Sequence, residues 1–81
     1  MSDGMAMALA RAIRAERARS GYSQAQLADR LGWSRQVVSA VETGVRRVYA
    51  DELPELCEAL SVPLHVLLSR IPDDDWGRLG L

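Results

Sequence analysis

The chain has one cysteine, Cys57, one histidine, His65, and no lysine at all. A lone cysteine forms no internal disulfide, and with a single imidazole it cannot complete a Cys/His metal cluster. No nucleophile-base pair, phosphate-cradling glycine loop or metal constellation is visible, so the chain is not expected to be an enzyme, and no cofactor or metal is expected. No apolar run is long enough to cross a bilayer, and the N-terminus lacks the charged start and uninterrupted hydrophobic stretch of a secretory signal. A cytoplasmic location with no membrane partner is the expectation. Repeats and low-complexity segments are missing too. All ten basic residues are arginine, which a GC-rich genome would produce by itself, and no function follows from it.

The 81 residues make one domain with a modest core, which five short helices would use up. The net charge of −1 argues at face value against a polyanion partner, but its distribution reverses that reading. Between residues 9 and 49, eight arginines stand against three acids, a balance of +5; elsewhere two arginines face eight acids, a balance of −6. The domain should therefore carry opposite fields on two faces.

Residues 23–44 read as two short helices joined by a tight turn. Ser23 can cap the first, and Gln26, three residues on, can reach back to the Ser23 amide, the reciprocal arrangement of a capping box. Leu27, Ala28 and Leu31 form a narrow apolar stripe, and Gly32 supplies the permissive backbone that ends it. Ser34 restarts the chain as an N-cap. Only Val38 and Val41 keep core spacing afterwards, which leaves Arg35, Gln36, Val37, Ser39 and Ala40 for the outer face until Thr43 and Gly44 close the helix.

Upstream, Met5, Leu9 and Ile13 recur every four residues among alanines and arginines, a good helix-forming composition that Gly21 stops, and Arg17 continues their stripe. A charge on a core stripe needs a partner, for which Glu42 is the candidate; a solvated Arg17 is the alternative. Trp33 is large for a turn and either packs over the helix pair, the preferred reading, or approaches a ligand. Downstream, Asp51 can cap a fourth helix with Pro54 tolerated in its first turn. Leu53, Leu56, Cys57 and Leu60 make its buried face, with Cys57 a small core residue. Leu64, Leu67 and Leu68 should face the core from a fifth helix, leaving His65, Val66 and Ser69 outward. Residues 1–71 form the domain and 72–81 an acidic tail. Its three aspartates read as solvated rather than metal-binding, while Trp76 and Leu79 could fold back or meet a second subunit.

Gln24 with Leu27-Ala28, Gly32, Ser34, Val38, Val41, Glu42 and Gly44 closely resemble the helix-turn-helix of the phage-repressor family typified by the lambda and 434 repressors and Cro, with the likeness running from about residue 9 to 68. The resemblance implies an all-α, compact five-helix lambda-repressor-like domain, here with a short C-terminal extension. It also implies that Arg17 and Glu42 pair to tie the first helix to the third, that Gln24 binds a phosphate, and that dimers form through the face bearing His65, Val66 and Ser69. The sequence departs from the family where Ser61 and Pro63 replace the glycine ending helix 4 and the small polar cap of helix 5.

A helix fits the major groove of B-DNA, whose base edges carry a distinguishable code. Arg35 can bond guanine O6 and N7, Gln36 adenine N6 and N7, and Val37 can pack on a thymine methyl, with Ser39 and Ala40 one turn further in. Gln24, Ser34, Thr43, Arg46 and Arg47 are the phosphate set. A solvated loop would also explain Arg46 and Arg47. One small domain buries too little DNA for strong selectivity, so a homodimer reading an inverted repeat in double-stranded DNA, most simply as a repressor, is expected. The alternative is an antitoxin or partner-binding module whose C-terminal tail engages another protein.

Overall fold

A computed structural model describes residues 4–72. Within them lie five α-helices: α1 (Gly4–Ser20), α2 (Gln24–Leu31), α3 (Arg35–Glu42), α4 (Leu53–Leu60) and α5 (Leu64–Ser69), with one 3-10 turn, Ala50–Glu52, leading into α4. This is the all-α five-helix order expected from the sequence. α2 packs on both α3 and α4, and α1 lies across α3, α4 and α5. Ile13, Leu27, Val38, Val41, Leu56, Leu60 and Leu67 meet in the centre, all essentially inaccessible to solvent.

One closure ends three of the helices. After α1 the amides of Gly21 and Tyr22 donate to the carbonyls of Ala18 and Arg17; after α2 those of Gly32 and Trp33 donate to Asp29 and Ala28; after α4 those of Ser61 and Val62 donate to Glu58 and Cys57. Each is a Schellman motif, in which the residue after the helix turns left-handed and the next one folds back against it. Glycine occupies the left-handed position twice, at φ +81° and +71°, whereas Ser61 takes φ +55° with a side chain in place. The link from α4 to α5 is therefore capped after all, by backbone rather than by glycine.

Three expectations about packing need correction. In α1 the buried residues are Ala8, Ala10, Ala12, Ile13 and Glu16, with Met5 and Leu9 half-buried beside them. Ile13 of the expected stripe is fully buried and Leu9 packs against the core, but most of the buried face is alanine, which gives little contrast in an alanine-rich helix. Asp51 does not cap α4: the 3-10 turn precedes the helix, and Glu52 Oε1 accepts from the Tyr49 amide at 2.9 Å. In α5, Leu64 is 43% exposed while Val66 packs against the core. The six-residue helix takes its phase from buried Val62 and Ile71 on either side, so Leu67 stays inside and Leu64 turns out.

Candidate nucleic-acid interface

α2 and α3 meet through a four-part local design. The capping box forms as the spacing requires, with Ser23 Oγ accepting from the Gln26 amide at 3.0 Å and Gln26 Oε1 from the Ser23 amide at 2.8 Å. Gly32 turns the chain, and Ser34 Oγ caps α3 by accepting from the Val37 amide at 3.2 Å. Val38 and Val41 are buried, which orients the opposite side of α3 outward. Arg35 and Gln36 are both exposed there, and neither side chain bonds to any described residue. Val37, Ser39 and Ala40 follow as half-buried positions along the same helix. The first turn thus carries two long polar side chains with their donors unused, beside backbone amides that give a helix start its positive potential.

Beneath that surface lies a charged knot. Arg17 Nε and Nη2 donate to the Glu42 carboxylate at 2.6 and 3.0 Å, and Arg17 Nη1 donates to the Tyr22 carbonyl at 2.8 Å. Gln24 Nε2 adds a third donor to Glu42, at 3.1 Å. The Glu42 side chain is 2% exposed and that of Arg17 15%. A buried pair is tolerable only when its remaining hydrogen-bonding capacity is used, as here. One carboxylate therefore joins the end of α3 to α1 and to the start of α2. Gln24, expected to reach a phosphate, has its amide turned inward on this knot.

The phosphate set divides. Thr43 Oγ1 donates locally, to the carbonyls of Ser39 and Ala40. Arg47 is exposed. Arg46 is committed elsewhere: Nη1 and Nη2 grip the Glu52 carboxylate at 3.0 and 2.7 Å, and the guanidinium lies over the rings of Trp33 and Tyr49, 5.1 and 5.6 Å from their centroids. The hydrogen bond to Arg46 holds the Glu52 carboxyl below its ordinary range. Trp33 accordingly packs, half-buried, against the core rather than standing out toward a ligand. Glu52 drew no attention in the sequence, since a glutamate six residues from an arginine on a loop carries no periodic signal.

Glu16 was equally illegible. Only 1% exposed, it accepts from Arg19 Nε at 2.7 Å and from Arg70 Nε at 2.5 Å, fastening the end of α5 to α1. The Arg70 hydrogen bond, the largest influence, lowers its pKa despite burial. Arg17, Arg19 and Arg46 are matched by carboxylates, while Arg11, Arg14, Arg30, Arg35 and Arg47 are exposed. Of the expected dimer residues, His65 and Ser69 are exposed and Val66 is half-buried in the core. Trp76, Leu79 and the acidic run 73–75 lie outside the described residues. Among those described, no helix is long and apolar enough to cross a membrane.

A short helix with an open polar face, set by a capped glycine turn against a second helix, defines a helix-turn-helix domain. The chain belongs to that family: the model for the helix-turn-helix domain matches residues 8–69. Two curated relatives, uncharacterized HTH-type transcriptional regulators of Mycobacterium tuberculosis strains CDC 1551 / Oshkosh and ATCC 25618 / H37Rv, are 41% identical over 58 residues. That match covers 72% of this chain but spans only 41% of each relative. Among solved structures, the clp gene regulator ClgR from C. glutamicum superposes with a TM-score of 0.79 at 28% identity, over 83% of this chain and 87% of that one. The restriction-modification controller protein C.AhdI from Aeromonas hydrophila gives 0.71 at 30% identity, over 83% and 98%. Both place the fold with the lambda-repressor-like, XRE-type helix-turn-helix proteins.

Proposed function

We propose that the chain regulates transcription by binding double-stranded DNA sequence-specifically, with α3 in the major groove. The observation that carries this is the exposure of Arg35 and Gln36 on the first turn of α3, their side chains unbonded to the described residues while the helix behind them is locked. Arg35 reads a guanine and Gln36 an adenine by paired hydrogen bonds, Val37 meets a thymine methyl, and Ser39 and Ala40 approach the next bases. Phosphates are held by the open amides of α2 and α3, by Ser34 and Arg47, and by Gln24 and Thr43 if the Gln24 amide leaves Glu42 and the Thr43 hydroxyl leaves the carbonyls of α3. The relatives' names, transcriptional regulators and a gene regulator, support the same reading.

The active form is a homodimer that represses from an inverted-repeat operator, with half-site centres roughly 34–36 Å apart. His65 and Ser69, joined by exposed Leu64, offer an α5 surface for the second copy. Selection of bound duplexes from a random pool at stated salt tests both levels. A palindromic winner is expected; enrichment of no sequence would reject specific reading, and enrichment of single half-sites would reject the dimer.

A further inference from the structure

The loop from the end of α3 to the 3-10 turn has little apolar material to hold it. Val45 is 82% exposed and Tyr49 66%, and only Val48 packs partly against the core. Ordering such a segment costs conformational entropy at every residue, so something else must fix it. Arg46 meets several neighbours that could. The Arg46 amide donates to the Ala40 carbonyl at 3.0 Å, tying the loop to the last turn of α3. Its side chain forks onto Glu52, and Nη1 also donates to the Arg47 carbonyl at 2.9 Å. The same Glu52 oxygen that receives Nη1 accepts the Tyr49 amide. Stacking on Trp33 adds the turn that precedes α3. Three of its five N–H groups are thus already used, and a phosphate approaching the edge formed by Nη1 and Nη2 would have to displace a carboxylate from a bidentate grip.

We propose that Arg46 is a positioning residue rather than a phosphate contact: anchored on Glu52 and stacked on Trp33 and Tyr49, it fixes the loop after α3 and so sets the pose of α3 and Arg47 on a duplex. The inference rests on the DNA-binding reading above, and it makes predictions of opposite sign to a phosphate contact. If Arg46 gripped phosphate, Glu52→Gln would free it, tightening binding and steepening the salt dependence by ~0.9 in the log-log slope. For a positioning residue the same substitution loosens the loop and weakens binding.

The test measures anisotropy of a short labelled duplex of mixed sequence across a salt series, with the full chain. Glu55→Gln, on the exposed side of α4, changes net charge equally and serves as reference. Glu52→Gln is expected to bind about fivefold more weakly than Glu55→Gln, since loss of an anchoring ion pair is an effect of that order. Arg46→Lys keeps the charge but loses the fork, and is expected to weaken binding similarly. In a Trp76→Phe background the Trp33 emission should shift in both variants, which a remote change of charge would not produce; circular dichroism confirms the fold. Equal or tighter binding by Glu52→Gln, or undiminished affinity in Arg46→Lys, overturns the proposal while leaving the DNA reading intact. A wild type that binds no duplex overturns both.

Discussion

Glu42→Ala leaves the Arg17 guanidinium facing a space from which its counter-charge has gone. Three donors lose their acceptor at once, Arg17 Nε, Arg17 Nη2 and Gln24 Nε2. The Arg17 side chain retains 15% of its exposure, too little for water to replace those bonds without rearrangement. Removing one partner of a buried pair costs about 3–5 kcal/mol, chiefly through the charge left behind. Because Arg17 keeps some solvent access and its bond to Tyr22, the lower end, about 3 kcal/mol, is expected. That is a large share of the roughly 4–12 kcal/mol that holds a domain of this length, and corresponds to a fall of roughly 12–24 °C in Tm. Urea unfolding followed by circular dichroism measures it. The double variant Arg17→Met with Glu42→Leu, which removes both charges and keeps the volume, should recover most of the loss. If Glu42→Ala costs less than about 1 kcal/mol, the pair behaves as a solvated surface bridge and the reasoning fails.

Arg35→Ala should cost roughly 1–3 kcal/mol on the selected duplex and relax preference at one base pair; equal loss on cognate and random DNA would remove Arg35 from the reading set. The lowered pKa of Glu16 means that its stabilisation is complete above the ordinary value of 4.5 and disappears as pH falls through the folded-state value. Glu16→Gln should therefore flatten the acid limb of a stability-pH profile and leave its shape near neutrality alone; an unaltered acid limb would contradict this. Ser61→Gly relieves a left-handed residue at the end of α4 and should stabilise by up to about 1 kcal/mol, after the extra backbone freedom of glycine in the unfolded chain is discounted. A loss of stability in thermal melts would count against the closure described above.

The helix-turn-helix was the most legible part, because its signals are local. Ser23 with Gln26, Gly32, and Ser34 each act within four residues, and Val38 and Val41 show their face by spacing alone. Legibility fell where one element took its position from another. α5 is too short to announce its own phase, so the exposure of Leu64 and the inward turn of Val66 depended on Val62 and Ile71. The pairing of Glu16 with Arg70 joins residues at opposite ends of the domain, and no pattern along the chain marks it.

The candidate site divides along the same line. Exposure of Arg35 and Gln36 follows from the local pattern, since a helix that buries only Val38 and Val41 must show its other side. What Arg46 does could not be read that way. Two adjacent arginines beside α3 look alike in sequence, yet Arg46 is half-buried, matched by Glu52 and laid on Trp33, and Arg47 is exposed with a contact of its own. Charge counting treats both as attraction for phosphate. Geometry separates them, because a guanidinium already held in a bidentate grip by a carboxylate contributes little net charge and much rigidity. The oversized tryptophan in the turn then has a physical reason: its ring gives Arg46 a surface to stack on, so the turn before α3 and the loop after it are held by one side chain.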